Sequence, residues 1–385
     1  MRGFLFPRKL WPYTNHDKDS DRSMALTTAI GVMSGTSMDA IDVAILRTDG
    51  CNTVETGPGR AYPYAPALRA RLLAVLADPA RAEHDPMAEL EAQVSDAHAG
   101  AVLSFLDDLA IPADAVDLVG IHGQTIFHKP DARFTRQFGD GRRIAATLGI
   151  DVVNRFRHAD VAAGGEGAPL APLYHKALGA GLDQPLMVLN LGGVANVTYL
   201  DGDTVIAFDT GPASALLDDF LLRRRGEPFD RDGALAASGA PDPDLLAQLL
   251  SHPYFTRKPP KSLDRNAFHA WAAAIDRIND DAAGAATLAA FTIASVAAAA
   301  ALVPGVPRRW LVTGGGRHNL TFMEGLRQAL LVPVDPVESV GWDGDFLEAH
   351  CFAYLAVRAR AGLPLSLPPT TGVPHPMPGG EFWPA

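Results

Sequence analysis

The strongest constraint on the fold is a stretch from Ala29 to Leu46 in which two apolar runs flank a turn of small residues. Apolar runs bounded by Gly and Ser are typical of buried strands, so the stretch predicts a hairpin. Its tip would carry Ser34, Gly35, Thr36, Ser37, Asp39 and Asp42. Amides and hydroxyls there suit phosphate oxygens, and Asp39 and Asp42 could hold a divalent cation directly or through water. An ordinary polar turn is an equally good interpretation of this pattern alone.

The second half of the chain repeats this organisation. The apolar run 186–190 enters a turn at Gly192 and Gly193, and the run 195–200 leaves it. A third run, 205–208, delivers Asp209 shortly before a predicted helix. A carboxylate in that setting suits a catalytic base or an anion site, whereas the alternative is a helix-capping role. Because the whole arrangement repeats, the sequence favours a functional Asp209.

Polar residues also follow the predicted strand 116–121, where His122, Gln124 and Thr125 come next. In α/β proteins, ligands bind just past the carboxyl ends of strands. His122 could in principle bind a metal, but no partner has the spacing of a ligand set, which favours a structural histidine.

Two arginines, Arg155 and Arg157, precede a glycine-rich loop at 164–170. A pair of guanidinium groups beside such a loop could clamp a carboxylate, although a solvated charged turn is the alternative. The loop 252–262 carries three basic residues, and here solvation is the default interpretation.

The buried run 310–313 delivers three consecutive glycines, Gly314, Gly315 and Gly316. Such a turn would let a flat ligand ring lie against the backbone, with Asn319 close to its polar edge. The last helix is predicted from about Glu348 to about Arg360, and the tail after it is expected to be irregular.

Composition limits the possible partners and the compartment. The 385 residues leave room for two domains, and a net charge of −11 disfavours nucleic acid and anionic membranes. Cys51 and Cys351 form neither a metal-spaced pair nor a disulfide framework, which favours a reducing cytosol. Residues 1–26 lack the apolar core of a signal peptide, and the Ala-rich stretch 282–303 is better explained as a buried helix than as a membrane span.

Taken together, these segments resemble the anhydro-N-acetylmuramic acid kinase family of the actin/hexokinase/sugar-kinase superfamily. The resemblance spans roughly 30–373. The matching segments, in order, are 31–42, 120–125, 160–170, 190–196, 208–212, 230–233, 258–262 and 313–316. The chain departs from the family pattern at 137–141, at 154–157 and at 343–348. These departures affect the expected contacts to the sugar more than the expected reaction.

The resemblance implies an α/β fold of the actin-like ATPase (ribonuclease H-like) kind, with two domains around an interdomain cleft. The expected division is an extension over 1–26, domain I over 27–154 completed by 348–385, and domain II over 155–347. A cytoplasmic homodimer is expected, without nucleic acid or membrane partners.

The resemblance also implies an ATP- and Mg²⁺-dependent kinase of cell-wall sugar recycling. It would convert 1,6-anhydro-N-acetylmuramic acid and water to N-acetylmuramic acid 6-phosphate. Asp209 would be the base, and Asp39 and Asp42 the metal ligands. Substrate would contact Arg157, with Gln124, Thr125 and Glu348 as further candidates. The residues expected to bind ATP are Gly35, Thr36, Ser37, Met38, Asp39, Ala40, Ile41, Asp42, Gly192, Gly193, Gly314, Gly315 and Gly316.

Two other classes stay open on the sequence. One is a kinase for a different sugar, and the other is a nucleotide-sensing protein without catalysis. The retained carboxylates Asp39, Asp42 and Asp209 favour an enzyme.

Overall fold

The predicted hairpin is present in the computed structural model, which describes residues 26–35, 38–263 and 268–385. Strand β1 (Thr27–Ser34) pairs antiparallel with β2 (Ala40–Thr48), and Ala29 lies opposite Leu46. Thr36 and Ser37 of the predicted tip lie outside the described residues.

Seven of the described strands form the first sheet. Its path runs β3–β2–β1–β4–β6–β12, and β5 pairs with β4. The first three strands are antiparallel neighbours, whereas β4 runs parallel to both β1 and β6. The further strands are β3 (Val54–Pro63), β4 (Leu118–Lys129), β5 (Phe134–Phe138), β6 (Val152–Asn154) and β12 (Glu381–Trp383).

The second sheet repeats the strand order of the first. It runs β9–β8–β7–β10–β11, again with three antiparallel strands followed by two parallel ones. Its strands are β7 (Leu186–Leu191), β8 (Val194–Asp201), β9 (Thr204–Pro212), β10 (Arg309–Thr313) and β11 (Val334–Pro336). The repeated hairpin predicted from the sequence is therefore confirmed, and this strand order is that of the ribonuclease H-like fold.

Helices cover both sheets and fill the space between them. They are α1 (Pro66–Leu76), α2 (Pro79–His84), α3 (Ala88–Asp108), α4 (Gly141–Leu148), α5 (His158–Ala162), α6 (Pro172–Gly179), α7 (Ser214–Arg225), α8 (Ala234–Ser238), α9 (Pro243–Leu250), α10 (His269–Ala272), α11 (Asp281–Ala299), α12 (Leu320–Leu330), α13 (Leu347–Arg360) and α14 (Pro368–Thr371). One apolar cluster joins both sheets through α6 and α13, with Leu118 and Leu311 among its sheet residues.

Two glycines let α13 lie directly on the first sheet. Gly31 of β1 and Gly120 of β4 are register partners. A Cβ atom on Gly31 would lie 1.8 Å from the carbonyl oxygen of Ala349, and one on Gly120 would lie 2.2 Å from that of Phe352. Only residues without a side chain permit this approach.

Among the described residues, one helical stretch, Asp281–Leu302, is long and apolar enough to cross a membrane by length and composition. In the structure α11 packs into the core of the second sheet through residues such as Phe291 and Val296. Packing of small and aromatic side chains on several sides accounts for its apolar character.

The sequence missed parts of three elements. Strand β4 continues to Lys129 because β5 pairs with its second half, so Gln124 and Thr125 lie inside a strand. The apolar pattern over 85–109 predicts a helix that starts at Asp85 and Pro86, but α3 begins at Ala88, because the Asp85 carboxylate accepts a hydrogen bond from the Met87 amide and forms a turn first. The tail is not irregular throughout, since it contains α14 and β12.

Candidate active site

Asp209 of β9 is buried, and a short backbone segment fixes it from one side. Its amide donates to the carbonyl oxygen of Lys261 at 3.0 Å, and its Oδ2 accepts from the amide of Leu263 at 2.7 Å. The Tyr254 hydroxyl donates to the Asp209 carbonyl oxygen at 2.7 Å. The carboxylate is therefore held in one orientation before any ligand binds.

The surroundings of Asp209 give its carboxyl group an unusual proton affinity. Burial raises the pKa of Asp209 to about 7, and the hydrogen bond from Leu263 opposes this shift. The negative charge of Glu166 raises the pKa further, whereas the positive charges of Arg157 and Lys261 lower it. A carboxyl group with a pKa near neutrality is well matched to accept a proton.

Lys261 is a buried cation that sequence reasoning missed. It is 3 % exposed, whereas the loop around it was interpreted as solvated. Its Nζ donates to the carbonyl oxygen of Tyr254 at 3.0 Å and lies 4.4 Å from the centre of the Tyr254 ring. Burial lowers the pKa of Lys261 to about 8, against the attraction of Asp209. The signal available in the sequence was its place in the family segment 258–262.

Arg157 is half-buried and held at two of its nitrogens. Its Nη1 donates to the carbonyl oxygen of Gly167 at 2.6 Å, and its Nε donates to Nε2 of His122 at 3.0 Å. Burial lowers the pKa of Arg157, while the charges of Glu348 and Asp209 oppose the shift. Arg155, the alternative carboxylate partner, is exposed and forms an ion pair with Glu381 at 2.9 Å.

The glycine-rich loop around Gly167 is tied to both halves of the chain. The Asp160 carboxylate accepts from the Gly167 amide at 2.7 Å and from the Thr371 hydroxyl at 2.6 Å. Glu166 donates its amide to the Thr371 carbonyl oxygen at 2.7 Å and accepts from the Ser262 hydroxyl at 2.5 Å. The loop that holds Arg157 therefore also contacts the segment that holds Asp209.

In the described part of the hairpin tip, Asp39 and Asp42 have different surroundings. Asp39 is exposed and pairs with the Arg69 guanidinium at 3.0 Å. Asp42 is half-buried on β2, and burial together with the charges of Glu348 and Asp345 raises its pKa to about 6. Among the other predicted tip residues, Gly35 and Ala40 are half-buried, and Met38 and Ile41 are buried. Asp42 thus lies among like charges that a cation would offset.

Gln124 supports the hairpin tip. It is fully buried, accepts a hydrogen bond from the Ser34 hydroxyl at 2.7 Å, and donates to the Gly35 carbonyl oxygen at 3.3 Å. Its neighbour Thr125 is half-buried and accepts from the Gln124 amide at 3.4 Å. Gln124 has no exposed surface to offer a ligand, so its described contacts make it a support for the loop.

The glycine turns of the second sheet differ in how open they are. Gly192 and Gly193 accept hydrogen bonds from the first turn of α7 through their carbonyl oxygens. Gly314 has φ +80°, and Gly316 packs against the Leu191 side chain. Gly315 is exposed, and no atom lies within 4 Å of the position its Cβ would take. Asn319 caps α12 through its Oδ1, which accepts from the Phe322 amide at 3.0 Å, and its Nδ2 keeps the donors predicted for the edge of a ring.

Glu348 in the first turn of α13 contacts the second sheet, where Asn190 donates to it at 3.4 Å. The Glu348 side chain is exposed at its surface, although protein surrounds it at longer range. This desolvation raises the pKa of Glu348, and the positive charge of Arg157 opposes the rise. Charge interactions connect Asp42 to Glu348, Glu348 to Arg157 and Arg157 to Asp209. The structure therefore brings together predicted residues from both sheets.

Comparison with solved structures gives weak likenesses that cover most of this chain. Component A of the (R)-2-hydroxyglutaryl-CoA dehydratase of Acidaminococcus fermentans is 12 % identical, with a TM-score of 0.48 over 87 % of this chain and 99 % of its own. A ROK family glucokinase of Streptomyces griseus, solved with glucose and AMPPNP, is 16 % identical, with a TM-score of 0.41 over 86 % and 99 %. Scores at this level carry no argument about the site.

Comparison of sequences gives much stronger matches. The model of the anhydro-N-acetylmuramic acid kinase family matches residues 27–385. Proteins named anhydro-N-acetylmuramic acid kinase are 52 % identical in Rhodospirillum rubrum, over 93 % of this chain and 94 % of the relative, and 52 % identical in Acidiphilium cryptum, over 92 % and 97 %. This chain therefore belongs to the anhydro-N-acetylmuramic acid kinase family.

Proposed function

We propose that this chain phosphorylates 1,6-anhydro-N-acetylmuramic acid with ATP and opens the anhydro ring with water. Water would add to the anomeric carbon while its proton passes to Asp209. The bond from that carbon to the bridging oxygen would break, and the bridging oxygen would attack the γ-phosphoryl group. The products are N-acetylmuramic acid 6-phosphate and ADP, as needed in cell-wall recycling and amino-sugar metabolism.

The observation that carries this proposal is the state of Asp209. Its carboxylate is buried, oriented by the Leu263 amide and close to neutrality in pKa, so it can both hold and release a proton. Arg157 lies close enough to interact with its charge and is fixed by two acceptors. A nucleotide sensor without catalysis would not need a carboxylate prepared in this way.

The glycine turns and the hairpin tip suit ATP. Gly315 offers open backbone on which a flat ring could lie, and the described part of the hairpin tip presents Gly35. Gly192 and Gly193 would face the phosphates from the opposite sheet. When bound, Mg²⁺ would offset charge on the transferring phosphoryl group.

Asp42 and Asp39 are the proposed Mg²⁺ ligands, and the structure favours Asp42. Burial raises the pKa of Asp42, and the charges of Glu348 and Asp345 raise it further, a repulsion that a cation would relieve, whereas Asp39 already pairs with Arg69. The described residues contain no cluster of three or more His, Cys, Asp or Glu side chains suited to a metal. A site with one or two carboxylates completed by water and phosphate oxygens fits the coordination habits of Mg²⁺.

Arg157 is the proposed partner of the lactyl carboxylate of the sugar, with Thr125 and Glu348 around it and Gln124 as support. A guanidinium pairs well with a carboxylate, and both Arg157 acceptors fix its plane. A kinase for a sugar without that carboxylate is the second candidate. Activity on paired sugars with and without the lactyl group separates the two.

The decisive experiment replaces Asp209 by Asn. The amide keeps the size of the side chain and an oxygen for the Leu263 hydrogen bond but cannot take a proton. We expect turnover to fall at least ~10²-fold with the fold and ATP affinity kept. Turnover would be followed by mass spectrometry of the phosphorylated sugar, and ATP affinity by calorimetry.

Asp203→Asn is the matched control, because Asp203 lies on the surface in the turn that precedes β9 and pairs with Lys176. Near-normal turnover in Asp209→Asn would remove this residue from the role of base.

Three further expectations belong with this proposal. Domain I would comprise 27–154 and 348–385, and domain II 155–347, which agrees with β12 and α13 joining the first sheet. The protein would act as a cytoplasmic homodimer. Both cysteines are free, in keeping with a reducing compartment.

A further inference from the structure

His122 of β4 and Arg157 share a hydrogen bond that fixes the protonation of the imidazole. The Arg157 Nε lies 3.0 Å from Nε2 of His122. A guanidinium nitrogen can only donate, so Nε2 must accept and cannot carry a proton. Burial, together with the charge of Arg157, places the pKa of His122 well below its usual value. The ring is therefore neutral, with its proton on Nδ1.

That tautomer leaves an unusual group in the interior. Nδ1 of His122 is buried and makes no well-formed hydrogen bond with any described residue, although the backbone of the adjacent Gly123 interacts with the ring. The ring packs on Phe352 with centroids 4.5 Å apart, so an apolar side chain covers part of it. Buried polar groups without partners are rare in native proteins. An apolar side chain would fit this position better if packing were its whole purpose.

The other contact of Arg157 explains what the imidazole adds. Nη1 of Arg157 donates to the Gly167 carbonyl oxygen at 2.6 Å, and a different nitrogen, Nε, donates to His122. Two acceptors at separate nitrogens hold the guanidinium against rotation about its long side chain. The third guanidinium nitrogen, Nη2, donates to none of the described residues. It is therefore available to bind an anion.

We infer that His122 is a positioning residue that sets the specificity of this enzyme for an anionic sugar by aiming Arg157 at the carboxylate. This inference rests on the proposed function, because it assigns the lactyl carboxylate to Arg157. His122 itself does not touch the sugar. Its neutral Nε2 acts as the fixed acceptor that keeps the guanidinium ready before the sugar arrives.

Two variants separate the acceptor from the packing. His122→Leu removes the acceptor and keeps an apolar side chain against Phe352, whereas His122→Gln supplies an amide oxygen that can accept from Arg157. We expect His122→Leu to lower kcat/KM for anhydro-N-acetylmuramic acid about 5- to 30-fold, mainly through KM. The loss on 1,6-anhydro-N-acetylglucosamine should stay under about twofold, and His122→Gln should recover most of the loss.

Two controls test whether the effect runs through Arg157. His175→Leu also removes a buried imidazole, which lies on α6 and is bonded to Thr198 of β8, and should leave the ratio between the two sugars unchanged. In an Arg157→Ala background, His122→Leu should add little further loss, because the two residues act as a unit. Equal losses on both sugars, or additive losses in the double variant, would overturn the inference.

A measurement without turnover tests the contact itself. Nitrogen-15 NMR of histidine-labelled protein, assigned with His122→Gln, should show a protonated Nδ1 and an unprotonated Nε2. The opposite tautomer would overturn the inference whatever the kinetics. If the unaltered protein phosphorylates neither sugar, the proposed function fails, while the tautomer still decides whether His122 serves as the acceptor for Arg157.

Discussion

At the scale of single residues, burial raises the pKa of Asp209, and charged neighbours then shift it in opposite directions. Glu166 raises the pKa of its carboxyl group, and Lys261 lowers it. Neither neighbour touches the carboxylate in the described hydrogen bonds, so their influence is mainly electrostatic and acts at a distance. The sequence predicted Asp209 and Arg157 because each stands next to a strand or a glycine-rich loop. It missed Lys261, because the burial of that side chain depends on Tyr254 and Phe208, which no local pattern reveals.

These charges predict a pH profile. A base must be ionised, so kcat/KM should fall as the pH drops through about 7, where Asp209 gains a proton. Lys261→Met removes a positive charge that stabilises the Asp209 carboxylate, so the acidic limb of the profile, where kcat/KM falls, should move to higher pH. Glu166→Gln removes a negative charge and moves it to lower pH. Rate measurements from pH 5 to 9 would show both shifts, and Lys258→Met, an exposed change in the same loop, should show none. Limbs that coincide in all four proteins would contradict the assignment.

At the scale of elements, most strands and helices were predictable because their apolar residues recur with clear periods. The end of β4 was not, since its polar residues 122–125 are buried by pairing with β5, a contact between separate segments. Helix α3 starts later than predicted, because the Met87 amide donates a hydrogen bond to the Asp85 carboxylate in a turn before the helix. The three-glycine turn was predicted as a ring-binding surface, and the structure distinguishes its members by the space around each.

Gly315 gives a clean test of the nucleotide site. Its Cβ position is open and its φ is not in the left-handed region, so Gly315→Val should fold normally. The branched side chain would occupy the surface proposed for the adenosine ring, and we expect ATP affinity to fall about tenfold or more, by calorimetry. Gly181→Val is the control, because its Cβ position is equally open and lies away from the site. Unchanged ATP affinity in Gly315→Val would remove this turn from the nucleotide site.

At the scale of the whole molecule, the glycine-rich loop meets the segment that holds the proposed base. The Ser262 hydroxyl donates to the Glu166 carboxylate at 2.5 Å, one residue before the amide that holds Asp209. The same loop carries Gly167, the acceptor for Arg157. The sequence identified both segments as family motifs, but their meeting depends on how the two sheets pack, which no segment specifies alone.

Removing this link should weaken catalysis more than it weakens the fold. A hydrogen bond to a charged group contributes about 1.5–3 kcal/mol when buried, and less at this half-buried site. We therefore expect Ser262→Ala to lower kcat/KM about 5- to 30-fold and Tm by a few degrees. Ser251→Ala, which loses only a local bond to Gln248, should change neither. Full activity in Ser262→Ala would show that the link does not align the site.

Helix α13 also determines when the first sheet can be completed during synthesis. Phe352, Ala353 and Ala356 cover the face of that sheet that includes Ala29 and Leu118. About 220 residues separate the end of β4 from the start of α13. At ordinary elongation rates, synthesis of these residues takes roughly 10–45 s. During that time the strands of the first sheet have been made, but the helix that covers them has not. The sheet built first is therefore finished last, and its apolar face needs protection until the chain is nearly complete.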